Sequence, residues 1–232
     1  MSVVAMQSLK RVVLPVAVLL AVMIGLGLLV TRVFEHDWPF SVEDGINREF
    51  AGDRTGPVTA VSWFFSTLAS TPVIIAVTAV VAVILRLVLH RWRESIYLCC
   101  AVTAQALVFF FATLVIDRER PAVKHLDESP PTSSFPSGHT SAAVALYVGL
   151  ALALALLTRR TWLKTLCWLL ILVPVGVALA RLYRGMHHPS DVTASFINGS
   201  VCVAIMSRAF LDRSVPWGRT SARVSVASGV PG

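Results

Sequence analysis

Charge is what this sequence has least of: Asp, Glu, Lys and Arg make up 14% of its 232 residues, against about 25% in an ordinary soluble domain. It has no polar block long enough to fold by itself, which excludes a second, soluble domain. No internal repeat is visible. Cysteines number four, and Cys99, Cys100, Cys167 and Cys202 all lie in apolar runs rather than in loops at disulfide or metal-ligand spacing. They are expected to be packing residues.

Hydrophobic residues supply 56% of the chain and the mean hydropathy is +0.73, so the bilayer is the expected solvent. A spanning helix needs about 20 mostly apolar residues. Six segments qualify: Val12 to Thr31, Pro72 to Leu89, Ser95 to Ile116, Thr140 to Leu157, Trp162 to Ala180 and Val192 to Leu211. The first follows Lys10 and Arg11 as a signal peptide would, but its apolar run is too long and no small-residue cleavage pattern follows. It is expected to be a retained helix. An acidic stretch, Phe34 to Arg54, and an aromatic-rich piece, Pro57 to Ser70, separate the first two spans; the latter is expected to lie in the membrane interface. The expected architecture is all-α, an integral membrane bundle of six transmembrane helices over residues 1–211, with 212–232 a disordered cytoplasmic tail.

A net charge of +7 and a pI near 9.8 would suit a nucleic-acid binder in a soluble protein. The placement of the charges argues against one. With the N-terminus inside, one membrane face collects twelve of the 20 basic residues, against only Glu94 and Asp212. The other face holds eleven of the 13 acidic residues. Basic residues favour cytoplasmic loops, so both termini are expected in the cytoplasm of a plasma membrane, and the composition suits a bacterial one.

Four of the eight basic residues on the outer face fall against that bias in two clusters, with Lys124 close to the first. One is Asp117-Arg118-Glu119-Arg120-Pro121, after the third span; the other runs from Arg181 to Asp191, after the fifth. Between them in sequence, Pro136-Ser137-Gly138-His139 opens the fourth span. In the topology above all three meet at one face. A helix N-terminus beginning Ser137-Gly138 offers free N–H groups and partial positive charge to an anion, and the guanidinium forks of Arg120 and Arg181 suit phosphoryl oxygens. His139 and His187 complete the set. Pro189 fits the first turn of the sixth span, which would let Asp191 fold back on the His187 ring and fix its tautomer. His188, three residues before Asp191, is the competing imidazole.

Together these motifs resemble the type 2 phosphatidate phosphatase superfamily, whose signatures are Lys with Arg-Pro seven residues on, then Pro-Ser-Gly-His, then Arg, five residues, His, three residues, Asp. The second is matched at Pro136 to His139, the third at Arg181, His187 and Asp191, and the Arg-Pro of the first at Arg120 and Pro121. The resemblance implies an extracytoplasmic active site acting on a membrane lipid phosphate: a phosphomonoester or diphosphate such as polyprenyl diphosphate, phosphatidate or phosphatidylglycerol phosphate. His187 would attack phosphorus to give a phosphohistidine, Asp191 would orient its ring, and His139 would protonate the leaving oxygen and then activate water. Arg120, Ser137, Gly138 and Arg181 would hold the phosphoryl oxygens. Neither metal nor cofactor is implied.

The sequence departs from the pattern once, at Thr113, where the first signature has Lys. Arg118, two residues from Arg120, is expected to supply the missing charge to the phosphate, with Lys124 the second choice. Three other activities fit the same residues: vanadate chemistry as in vanadium haloperoxidases, which share the site but not the apolar spans, transfer of the phosphoryl group to another alcohol, and binding of lipid phosphate without turnover.

Overall fold

The computed structural model describes residues 9–34, 37–129 and 131–212. Among them are eight main helices and no strand: α1 (Lys10–Val33), α2 (Glu43–Gly52), α3 (Gly56–Leu68), α4 (Thr71–Leu89), α5 (Arg93–Val115), α6 (Gly138–Leu157), α7 (Thr161–Tyr183) and α8 (Pro189–Leu211). All but the short α2 and α3 are long and apolar enough to cross a membrane. No end of these six differs from the sequence expectation by more than three residues. Most of the residues expected to form a tail, 213–232, lie outside the described residues.

Local chemistry sets several boundaries. Proline occupies the first turn of α3, α4 and α8, where its missing N–H costs nothing. Ser137 caps α6, its hydroxyl oxygen accepting from the Thr140 amide. His90 ends α4 in the left-handed conformation.

The most buried span is α6, and it is the axis of the bundle. Small side chains, Ala143, Ala151 and Ala153, let neighbours approach it closely. On one side it meets α5, where Tyr97, Ala101, Ala104 and Val108 are buried, and Ser141 donates to Gln105 Oε1 at 2.8 Å. On another it meets α8 at Gly199.

The segments between the first two spans are structured and turn inward. α3 packs along α7, and its buried residues are Ser62 and Ser66. α2 packs against α7 as well, burying Glu43 and Asn47. Both short helices therefore carry polar side chains towards one end of the bundle. There the last turns of α5 and α7 meet the first turns of α6 and α8.

Candidate active site

A cavity of about 1220 Å³ opens at that end, lined at its polar base by Arg120, Asp127, Gly138, His139, Arg181 and His187. From there it is lined by Ile74 and Ile75 of α4 and by Val102, Ala106 and Phe109 of α5. Ionic groups and hydrocarbon walls thus share one space.

His187 is placed by a turn that only a glycine closes without strain, since Gly185 sits at φ +73°. The Met186 amide donates to the Arg181 carbonyl at 3.0 Å, and Asn47 Nδ2 donates to the His187 carbonyl at 3.0 Å. The side chain itself is 5% exposed. Its Nδ1 lies 2.8 Å from the Ser134 carbonyl. A carbonyl oxygen can only accept, so Nδ1 carries the proton and Nε2 keeps its lone pair. Burial, followed by the nearby Arg181 charge, holds the His187 pKa well below 6.5, with Asp191 opposing. The ring is neutral.

Here the sequence expectation needs correcting. Asp191 Oδ2 stands 3.8 Å from His187 Nδ1, outside hydrogen-bond range, and the tautomer is fixed by Ser134 instead. The fully buried Asp191 carboxylate accepts from Ser134 Oγ at 2.5 Å and from the His188 amide at 2.8 Å, and it pairs with Arg118. The reason is local: as the third residue of α8, Asp191 folds back on the helix's own start, in a capping box with His188.

Arg118 also falls elsewhere than expected. It is absent from the cavity lining, and its two terminal nitrogens are engaged by Asp191, by Glu43 Oε2 at 2.7 Å and by Ser190 Oγ at 2.7 Å. Lys124 is exposed and also lies outside the lining. Ser137 is fully buried, and its hydroxyl, 3.1 Å from Thr140 Oγ1, belongs to the helix cap rather than to the cavity. Thr113 does line the cavity, but its hydroxyl donates to the Phe110 carbonyl at 2.8 Å. His188 does not line it; its ring lies 3.3 Å from Asp191 and 3.4 Å from Asp44.

Two guanidinium groups do face the cavity. Arg120 is tied by Nη1 to the Met186 carbonyl at 2.7 Å. Arg181, 4% exposed, is tied by Nη1 to Ser66 Oγ at 2.8 Å and to Asp127 Oδ2 at 2.7 Å. In both, Nε is buried without a partner. Such donors are costly to leave unmet, and both arginines line the cavity.

Asp127, in the loop between α5 and α6, is held by two arginines, Arg181 and Arg184. Burial pushes its carboxyl up, but hydrogen bonds and charge from Arg184 and Arg181 outweigh this and keep it below the ordinary carboxylate range. Arg184, Ser134, Glu43 and Asn47 likewise had no role in the sequence reading. Only Arg184 gave a signal there, as a basic residue out of place in the second cluster. Among the described residues no three His, Cys, Asp or Glu side chains are grouped as a metal site.

Comparison with known proteins adds an independent line. The model of the PAP2 superfamily matches residues 94–214. Lipid A 1-phosphatase of Helicobacter pylori is 40% identical over 86 residues, 36% of this chain and 41% of that protein. The match thus spans less than half the length of that relative. Among solved structures, a transmembrane PAP2 type phosphatidylglycerolphosphate phosphatase from Bacillus subtilis superposes with a TM-score of 0.72 at 20% identity, covering 84% of this chain and 94% of that one. Aquifex aeolicus LpxE superposes with a TM-score of 0.57 at 21% identity, covering 73% and 97%. At such identities the two structures speak for the fold.

Proposed function

This chain belongs to the PAP2 superfamily, and from that premise we propose that it hydrolyses a phosphate ester or diphosphate of a membrane lipid through a phosphohistidine at His187. The observation that carries the proposal is the composition of the cavity. A neutral imidazole, a second histidine and two guanidinium groups form one end, and two apolar helices form the other. A phosphate on a greasy anchor fits both ends at once.

In the first step His187 Nε2 attacks phosphorus as the bond to the lipid oxygen breaks. His139 gives its proton to that oxygen, which leaves as the alcohol or as a shorter phosphate. Arg120, Arg181 and the Gly138 N–H stabilise the three equatorial oxygens, where negative charge resides throughout the transfer. The intermediate carries phosphorus on Nε2 and hydrogen on Nδ1, so its ring is cationic. The Ser134 carbonyl at 2.8 Å and the Asp191 carboxylate at 3.8 Å stand ready for that charge. In the second step water attacks phosphorus, His139 takes its proton, the P–N bond breaks and inorganic phosphate leaves. His187 returns to its neutral form, and no step draws on a metal or cofactor.

The segregation of basic residues supports placing this end of the bundle outside the cytoplasm and both termini within it. The relatives act, by name, on lipid A and on phosphatidylglycerol phosphate, and those head the candidate substrates. Phosphate release by purified full chain is to be compared on phosphatidylglycerol phosphate, phosphatidate, a polyprenyl diphosphate and a lipid A 1-phosphate. We expect turnover of at least one. Binding of all four with release from none would leave a lipid-phosphate-binding protein in its place.

A further inference from the structure

Asp127 lines the cavity beside the two guanidinium groups, as the carboxylates of Asp117 and Glu128 also do, and it is the one that Arg181 and Arg184 both hold. Its Oδ2 accepts from Arg181 Nη1 at 2.7 Å, and Arg184 grips both of its oxygens, Nε to Oδ2 at 2.8 Å and Nη2 to Oδ1 at 2.6 Å. Arg184 lies behind the carboxylate, 4% exposed and outside the cavity lining. Its Nη1 donates to Ser62 Oγ at 3.0 Å and its Nη2 also to the Leu126 carbonyl at 3.1 Å. The guanidinium is thereby fixed between α3 and the loop. Thr113 adds no charge to the cavity, so its own cations are Arg120 and Arg181.

Carboxylate and phosphoryl groups compete for the same guanidinium edges. A carboxylate with no other partner would turn fully onto Arg181 and take the place of a substrate oxygen. We infer that Arg184 is a positioning residue that withholds Asp127 from the phosphate site. Its two-point grip neutralises the carboxylate and limits it to Nη1 of Arg181. The remaining N–H groups of Arg181 are thereby left unclaimed by the carboxylate, its Nε having no partner at all. Asp127 in turn holds Arg181 in place without consuming its charge. The substrate in this inference rests on the lipid phosphatase reading, whereas the anion site it describes does not.

The test uses purified full chain in detergent with two arms, binding of orthovanadate by calorimetry and hydrolysis of the lipid phosphate the wild type prefers. Arg184→Leu should weaken orthovanadate binding about ten-fold or more and raise KM by more than it lowers kcat. Adding Asp127→Asn should bring affinity back to within about three-fold of wild type. A residue that merely braced the loop would give no such rescue, because the second change weakens a further tie of that loop, the one from Asp127 to Arg181. Arg184→Lys, which keeps the charge but not the two-point grip, should give an intermediate loss that Asp127→Asn also relieves. It serves in place of Arg184→Leu should that variant not fold. The binding arm judges the inference even if no lipid is hydrolysed. Unchanged affinity in whichever of the two variants folds, or a loss that Asp127→Asn does not relieve, overturns it.

Discussion

With its Nδ1 proton committed to the Ser134 carbonyl at 2.8 Å, His187 has a single nitrogen left with which to attack. His187→Ala should abolish turnover, and rapid quenching of the wild type should trap phosphate bound to protein that is labile to acid and stable to base. Full activity in that variant, with loss in His188→Ala, would move the role to the neighbour. The pH dependence has a definite sign. Burial and Arg181 push the His187 pKa down from 6.5, so the ring loses its lone pair only when pH falls to that lowered value. The acid limb of kcat/KM should accordingly lie below pH 6.5, once the substrate's own phosphate ionisation has been measured and removed. A half-loss at 6.5 belonging to the enzyme would contradict the environment described. Arg118 tests what holds Asp191 in place. Because it pairs with Asp191 and Glu43 rather than facing the cavity, Arg118→Ala should lower kcat about ten-fold with KM within about two-fold. A rise in KM alone would return Arg118 to the phosphate.

The site exists only where helix ends converge, so its geometry depends on how α6 and α8 cross. At Gly199 of α8 an added Cβ would lie 2.6 Å from Val144 Cβ and 2.8 Å from the Ser141 carbonyl oxygen. Neither can swing aside, one being the base of a branched side chain and the other backbone. Gly199→Val should therefore cost roughly 1–3 kcal/mol, seen as a lower midpoint of thermal unfolding in detergent. It should also cut kcat, since α8 carries Asp191 and α6 carries His139. Wild-type stability in this variant would mean the crossing is looser than described. The spans and signatures were legible in the sequence because each is written locally: apolar runs of membrane length, a serine cap, a proline in a first turn, His187 and Asp191 four apart. What was not legible spans long separations or uses backbone. Arg184 meets Asp127 across 57 positions and Arg118 meets Glu43 across 75, and no spacing rule links them. The partner that sets the His187 tautomer is a carbonyl, an atom every residue has. Local spacing even misled at Asp191, where four residues suggested a contact with His187 that the helix start claims instead.

At the scale of the whole molecule the open question of sidedness is set by the sum of the charges rather than by any one contact. Six antiparallel spans put the ends of α5 and α7 and the starts of α6 and α8 on one face, together with the loop that carries Asp127. The opposite face carries most of the basic residues, with Arg91 paired to Glu94 and Arg86 stacked on Trp92. Basic residues favour the cytoplasmic face, and the site's face holds eight of the 20 basic residues with eleven of the 13 acidic ones, so the site is expected outside. Ser129 reports on this directly: it is exposed on the site's loop, and its hydroxyl lies 2.7 Å from His125 Nδ1, away from the cavity. With the four native cysteines replaced, Ser129→Cys should be labelled by a membrane-impermeant maleimide in intact cells. A cysteine placed at Arg160, an exposed residue on the opposite face, should be labelled only after permeabilisation. The reverse pattern would turn the bundle over. The cavity would then open to lipid phosphates on the cytoplasmic surface, and the candidate substrates would have to be drawn from that side.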